Sequence, residues 1–345
     1  MKRIIIILIA LIFIKNINGQ EKESKNKRDK HIFSFRFGYS IPVAKSQIGS
    51  PRSEIGDTYK ELKSNNIFVS ETNSYGSRGA GLNFALSYEY MITENISAGL
   101  EFSYLYTLGI NDGFTLIKSG NNIIYDANQN SYTSMLRATP MIGIYANENL
   151  LIRPYTKFGL IVPFAGTTYA SLIIVDETGK LFNDLMPIVD PDFFNNIKDN
   201  IITRNLDIPT NTIIEATTSG VFSVGFDARI GVEYKILDNL KIFVELNMQM
   251  LTVKVGKTTI TNFESSTSDV IKSLAENADL GIDVKDYTLD DVPEFLRVTK
   301  YVDEINEESN VYGTASYNRE KSADQLGFRD NYNAFGFILG IKYGF

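Results

Sequence analysis

Ala334-Phe335-Gly336-Phe337-Ile338-Leu339-Gly340-Ile341-Lys342-Tyr343-Gly344-Phe345 are the last twelve residues of the sequence. Laid out as a strand, they sort into two faces. Phe335, Phe337, Leu339, Ile341, Tyr343 and Phe345 fall on one side, and Ala334, Gly336, Ile338, Gly340, Lys342 and Gly344 on the other. A strand that is bulky and apolar on one face, small or charged on the other, and finished by an aromatic anchor suits a barrel wall set in lipid.

The same pattern recurs seven times upstream. Phe33 to Val43 alternates with Ser34, Arg36, Gly38 and Ser40, and Leu82 to Tyr90 with Asn83, Ala85, Ser87 and Glu89. Ile96 to Tyr106 alternates with Ser97, Gly99, Glu101 and Ser103. Leu136 to Ile144 carries Arg137, Thr139 and Gly143 on its second face, and Ile152 to Phe164 carries Arg153, Lys157 and Gly159. Phe222 to Tyr234 opposes Ser223, Gly225, Asp227, Arg229, Gly231, Glu233 and Lys235. Leu240 to Met248 opposes Lys241, Phe243, Glu245, Asn247 and Gln249. About eight strands result, the smallest number in bacterial outer-membrane barrels.

Connection lengths order these strands. Thr93-Glu94-Asn95, Asn147-Glu148-Asn149 and Leu237-Asp238-Asn239 mark tight hairpins. The other connections, near 45–78, 109–130, 166–218 and 255–331, are long. Short turns at one end and long loops at the other predict an all-β, antiparallel up-and-down transmembrane β-barrel, with the turns and both termini periplasmic and the loops extracellular. Structureless loops longer than about 15 residues are uncommon, so these four are expected to carry structure. Thr167–Val175 and Thr212–Thr217 are candidates to extend the fifth and sixth strands, and Ser268–Asn277 and Asp290–Glu304 have helical composition. Pro140 and Pro154, in strands four and five, cannot donate to a ladder and predict a local bulge.

Met1-Lys2-Arg3 followed by the aliphatic run Ile4 to Ile14 and the small residue Gly19 has the order of a signal peptide, 1–19. Residues 20–30 read as a charged leader, and 31–345 as the barrel domain with its loops. Mean hydropathy is −0.09, too polar for a helical membrane protein but natural for a barrel whose strands bury one polar face. The sequence has no cysteine and one histidine, His31, which leaves no thiolate chemistry and little scope for a histidine metal site or a triad. A net charge of −7 argues against nucleic-acid binding. No metal or cofactor is expected, and no catalytic residue is assigned.

The inward-facing charges are Arg36, Glu89, Glu101, Arg137, Arg153, Lys157, Asp227, Arg229, Glu233, Lys235, Lys241, Glu245 and Lys342. An eight-stranded barrel is only wide enough inside to be filled by side chains. These charges are therefore read as an interlocked ion-pair network, because an unpaired buried charge is very costly. A gated polar path or a proton-linked site is the alternative. An acid–base enzyme built on Asp227, Glu101 or Glu245 lacks room for a substrate cleft. His31, just before the first strand, reads as a solvated residue of the periplasmic rim. Asp269 to Glu308 carries a local charge excess of about −8, enough to account for the chain's net −7, and reads as a solvated surface, with cation-bridged contact to lipopolysaccharide as the alternative. Tyr90, Tyr234, Tyr343 and Phe345 fall at one end of the outward faces and Tyr106 and Phe164 near the other, where headgroups lie.

Gly340, Tyr343 and Phe345 resemble the C-terminal assembly signal of outer-membrane proteins, which implies the barrel-assembly machinery as a partner during insertion. From about His31 to Phe345 the layout resembles the small outer-membrane β-barrel superfamily, the OmpA/OmpX-like group that includes PorT-type barrels. The resemblance implies the outer membrane of a Gram-negative-type cell and contact with its lipid and lipopolysaccharide, and the long loops on a filled barrel are read as a non-enzymatic surface role. That role would be adhesion, surface protection or support of an envelope complex through a loop-bound protein partner. A narrow channel or transporter, or a lipid-modifying enzyme, are the alternatives.

Overall fold

The computed structural model describes residues 30–43, 46–48, 68–107, 109–119, 122–148, 150–179, 195, 209–267 and 286–345. The expected signal peptide, nearly all of the charged leader, and the expected helix over Ser268–Asn277 lie outside the described residues.

Eight strands form the wall: β1 (His31–Pro42), β2 (Gly81–Met91), β3 (Ile96–Tyr106), β4 (Asn122–Tyr145), β5 (Ile152–Asp176), β6 (Gly225–Lys235), β7 (Leu240–Met250) and β8 (Ala334–Gly344). Each pairs antiparallel with the next. The ring closes between β8 and β1 in unbroken register from Ile32↔Gly344 to Pro42↔Ala334. Closure leaves no sheet edge, the condition for a strand structure to cross hydrocarbon. Eleven residues, the length of β2, β3, β6, β7 and β8, extend about 36 Å and at a tilt near 40° rise about 28 Å, the thickness of the apolar core.

The wall is inverted relative to a soluble protein. Outward Ile230, Leu86 and Phe337 are 65%, 58% and 52% exposed, while inward Glu89, Glu245, Lys342 and Arg36 are 0%, 0%, 1% and 3% exposed. Each strand alternates in this sense because one face meets hydrocarbon and the other a closed polar lumen.

Tight turns join β2 to β3, β4 to β5 and β6 to β7. In the first, the Thr93 hydroxyl accepts the amides of Asn95 and Ile96 at 3.2 and 3.0 Å, and Asn95 Nδ2 donates to the Tyr145 carbonyl at 2.8 Å. In the third, Lys235 and Asp238 pair at 2.7 Å.

The long connections depart from the sequence-based expectation in a consistent way: much of them is sheet. β4 and β5 are 24 and 25 residues long and run together beyond the wall to Tyr125↔Asp176. Ile110–Ser119 pairs with the upper half of β4, and Phe68–Gly76 pairs with Ile110–Ser119 in turn. On the other flank Thr210–Gly220 pairs with upper β5, and Thr252–Thr267 pairs with Thr210–Gly220. Val298–Val302 adds to Thr252–Thr267 and carries Ala323–Leu326 as a parallel partner. Ile117, Tyr125 and Ile174 form a small buried cluster in this upper sheet.

Three expectations are corrected. Thr167–Val175 does extend β5, but Thr212–Thr217 does not extend β6. Its strand ends at Gly220, and β6 starts only at Gly225 although Phe222 and Val224 continue the alternation. Asp290–Glu304 is mostly not helical: it holds part of a 3-10 turn (Leu289–Asp291), one α-helical turn, α1 (Glu294–Arg297), and the strand Val298–Val302. The run Val298-Thr299-Lys300-Tyr301-Val302 is β-branched and aromatic, which suits a strand.

Neither Pro140 nor Pro154 makes a bulge; they sit in register opposite Leu100 and Val232. Ala146 donates to the Pro154 carbonyl at 2.9 Å. Its own carbonyl accepts Arg153 Nε at 2.8 Å, so a side chain supplies a donor where the proline has none. The register shift of this strand pair lies instead at Leu136/Arg137, across from Pro163.

Candidate functional site

The period-2 geometry of the wall directs the charged side chains into one closed interior, where they form stacked layers. In the central layer Arg36 bridges Glu245 at 2.8 Å and Glu101 at 3.0 Å. Arg229 forks onto Glu101 at 2.8 and 2.9 Å, and onto Asp227 at 2.7 and 3.0 Å. Such two-pronged arginine–carboxylate pairs are the strongest of the charge-assisted hydrogen bonds.

Nearer the turns, Lys157 Nζ lies 2.6 Å from Glu89 and 3.6 Å from Glu245. Tyr145 and Ser97 donate to Glu89 at 2.7 and 3.0 Å, and Tyr155 donates to Glu245 at 2.9 Å. Glu233 gathers Lys342 at 2.8 Å, Lys241 at 3.2 Å and Arg153 at 3.5 Å. Arg153 also donates to the Glu94 carbonyl at 2.5 Å, tying the network to a turn.

Arg137 sits on the outer side of the central layer and is held by neutral groups: Asn83 at 2.5 Å, Gln249 at 2.8 Å and Ser103 at 3.2 Å. Above it Leu105, Met135, Ile161, Leu251, Val253 and Tyr332 pack into a buried apolar cluster. Among the charged layers Tyr145, Tyr155, Phe243 and Ile338 form a second one, between the Glu89 and Glu245 carboxylates and the Glu233 group. Apolar packing caps the charged layers at the outer end, while Glu233 with Lys241, Lys342 and Arg153 closes the turn end.

Not every inward charge joins the network. Lys235 is 45% exposed on its side chain and pairs with Asp238 of the turn. That hydrogen bond holds the Asp238 carboxyl below the usual range. The aromatic members were not singled out by sequence reasoning. Lys342 Nζ stands 3.7 Å from the Tyr155 ring centre and 4.9 Å from that of Phe243, and the Arg153 guanidinium lies 4.8 Å from that of Tyr145. Their positions on the inward register were the available signal. The Asn247 amide and the Ser34 and Ser87 hydroxyls are buried without a hydrogen-bond partner among the described residues, and groups of this kind are usually satisfied by ordered water.

His31 is more tightly held than a solvated rim residue. Its Nδ1 lies 2.7 Å from the Tyr88 hydroxyl and its ring stacks on Phe345 at 5.3 Å. The backbones of His31 and Phe345 exchange hydrogen bonds of 3.2 and 3.0 Å. Phe345 also stacks on Phe33 at 5.7 Å, so the aromatic terminus clasps the closing seam. Tyr106, Tyr132 and Tyr169 make an outward aromatic row at the opposite end, at 6.0 and 4.8 Å. Gly340 sits where its strand presses on the Phe35 carbonyl and the Phe243 ring, leaving no room for a side chain.

Of the acidic segment, the described part begins at Asp286. Asp291 accepts the Thr288 amide at 2.9 Å, and Asp303 pairs with Lys254. The Lys254 hydrogen bond lowers the Asp303 carboxyl below its ordinary value. No group of three or more candidate metal ligands occurs among the described residues.

No protein-family model matches the sequence, and no curated protein does. Among solved structures, the backbone is similar to the outer membrane protein OprG from Pseudomonas aeruginosa, at 9% identity over 94% of this chain and 99% of that one, TM-score 0.33. It is similar to outer membrane protein W of Escherichia coli, at 13% identity over 92% of this chain and 100% of that one, TM-score 0.28. It is also similar to the outer membrane protease OmpT from Escherichia coli, at 8% identity over 94% and 99%, TM-score 0.29. Likenesses at these values carry no argument about the site, and the assignment rests on the ring itself. Eight antiparallel strands closed on themselves, apolar toward the outside and charged within, make this chain a transmembrane β-barrel of the outer-membrane type.

Proposed function

We propose that this protein is a non-conducting, non-enzymatic outer-membrane barrel whose work is done by the sheet and loops it holds beyond the membrane, in adhesion, surface protection or support of an envelope complex. The observation that carries the reading is the filled lumen. Five buried carboxylates, Glu89, Glu101, Asp227, Glu233 and Glu245, interlock with the buried cations Arg36, Arg153, Lys157, Arg229 and Lys342, Arg137 is held by neutral side chains, and an apolar cluster closes the outer end. An interior so filled offers neither an ion path nor a substrate cleft. The chain instead invests in β4 and β5, which are more than twice the length needed to cross the bilayer.

In this reading the termini and tight turns are periplasmic. Gly340, Tyr343 and Phe345 are read by the barrel-assembly machinery during insertion. The upper sheet meets lipopolysaccharide at its base and a protein partner at its tip. Planar-bilayer recording tests the reading: the intact barrel is expected to give no resolved conductance steps, and stable ion-selective openings would overturn it. Capture from envelopes with the intact protein, and with a variant lacking residues 286–328, then tests the surface role. A specific partner lost on deletion supports it, and an unchanged set of partners contradicts it.

A further inference from the structure

The seam between β5 and β6 does not stay zipped to the outer end. The last paired residues are Ile161↔Gly225, and β5 finds its next partner on that side only at Thr168↔Thr218. Across residues 162–167 the wall is parted, because Val221 turns away to donate its amide to the Lys254 carbonyl at 2.9 Å. Into this gap opens a cavity of about 400 Å³.

Its lining changes character along its length. At the mouth stand Phe164 and Phe222, 57% and 77% exposed, continuous with the lipid-facing belt. The inner wall is apolar and buried: Met135, Val253 and Val255 are 4%, 7% and 1% exposed. Met135 and Val253 belong to the cluster that caps the lumen, so the cavity has a floor and does not continue into the charged layers. Its polar side is formed by Thr168, Thr218, Tyr332 and Asp330. Thr168 Oγ1 lies 2.8 Å from Thr133 Oγ1 and 3.5 Å from the Tyr332 hydroxyl. Asp330 is 3.3 Å from Arg78 Nε.

We propose that this cavity binds one single-chain amphiphile drawn from the outer leaflet, its linear hydrocarbon chain in the parted seam and its neutral, hydroxyl-bearing head on the threonine, Tyr332 and Asp330 side. The occupant follows from what surrounds the opening. The mouth faces hydrocarbon, so the cavity is filled from lipid. A cavity of this volume holds one chain and excludes a pair. A cavity of roughly 150 Å³ holds the six carbons of benzene, so one of about 400 Å³ takes roughly 16 carbons. The Asp330 carboxylate accepts a hydroxyl; it is already paired with Arg78 at 3.3 Å, so the site offers no net charge to offset the cost of burying an anionic head.

Full-length protein in diacylphosphatidylcholine nanodiscs, released for native mass spectrometry after addition of 1-monopalmitin, tests the proposal. The native barrel is expected to retain one monopalmitin saturably. A165W, which plugs the mouth, is expected to lose at least tenfold in retention, while L86W, the same ring on the opposite wall, retains it fully. T167F reads the same outcome should A165W lose the heat-modifiable gel shift of a folded barrel. Palmitate is expected to be retained at least tenfold less than monopalmitin. Absence of a saturable adduct, equal retention by the plugged variants, or retention of the diacyl lipid in its place would overturn the proposal. Palmitate bound as well as monopalmitin would overturn its assignment of the head.

Discussion

Glu101 accepts three charge-assisted hydrogen bonds from two arginines at the centre of the lumen, and replacing it with glutamine tests whether that interior is dry. The side chain is 1% exposed and accepts Arg36 at 3.0 Å and Arg229 at 2.8 and 2.9 Å. Glutamine keeps the shape, removes the charge, and turns an NH₂ group toward guanidinium donors. Arg36 keeps Glu245 and Arg229 keeps Asp227, so neither cation is stripped bare. The expected loss is about 3 kcal/mol, the low end of what breaking a buried pair costs. Arg229→Gln removes the cation bonded to both Glu101 and Asp227 and should cost more. The double variant should recover about 1–3 kcal/mol of the summed losses. Urea titration of the barrel in lipid vesicles, read by heat-modifiable migration, measures all three. Lys235→Gln, at an exposed pair, should leave the midpoint unchanged. A Glu101→Gln loss under about 1 kcal/mol, the range of exposed ion pairs, would refute the reasoning and describe a wet lumen.

Further outcomes follow from the same structure. Leu86 lies at mid-height on β2, opposite Phe35 and Phe102; Leu86→Arg should cost about 2–4 kcal/mol in the same titration. Gly340→Ala places a methyl against the Phe35 carbonyl and the Phe243 ring and should cost about 1–3 kcal/mol, with refolding impaired even in pure lipid. Phe345→Ala removes the rings' clasp on His31 and Phe33; it should refold in lipid yet assemble slowly in cells, followed by the yield of heat-modifiable barrel. Arg153→Gln should lower stability by about 1–3 kcal/mol, because it leaves the Ala146 carbonyl opposite Pro154 without its donor.

The wall was legible in the sequence because lipid on one face and a closed lumen on the other impose a strict period of two. Phe33 to Ile41 and Phe335 to Phe345 could serve no other arrangement as well. The same logic assigned the inward charges. Their individual partners were not readable, since which carboxylate meets Arg36 or Arg229 depends on barrel stagger and not on spacing along the chain. Apart from the extension of β5 over Thr167–Val175, the upper sheet was missed because both of its faces meet water over much of its length. Asn122 to Tyr132 includes Asp126, Asn128, Gln129, Asn130 and Ser131, and alternation fades once hydrocarbon is absent. At Phe222 and Val224 the opposite error arose: the apolar pattern runs on past the point where the backbone leaves the ladder. The prolines misled for a third reason, because an arginine side chain beside Pro154 donates where the ladder lacks an N–H.

The central claim is that the outward side chains of the ring are solvated by hydrocarbon. The protein contains no tryptophan, so single tryptophans at Phe84, Leu86 and Tyr88 on β2, and at Ile123 on the upper sheet, report their surroundings without background. In bilayers of lipids brominated at graded depths, Leu86→Trp should be quenched most by bromines near the chain ends, with Phe84→Trp and Tyr88→Trp quenched at shallower depths and Ile123→Trp unaffected. Equal, negligible bromine quenching at all four positions, with free access to aqueous acrylamide, would contradict the account.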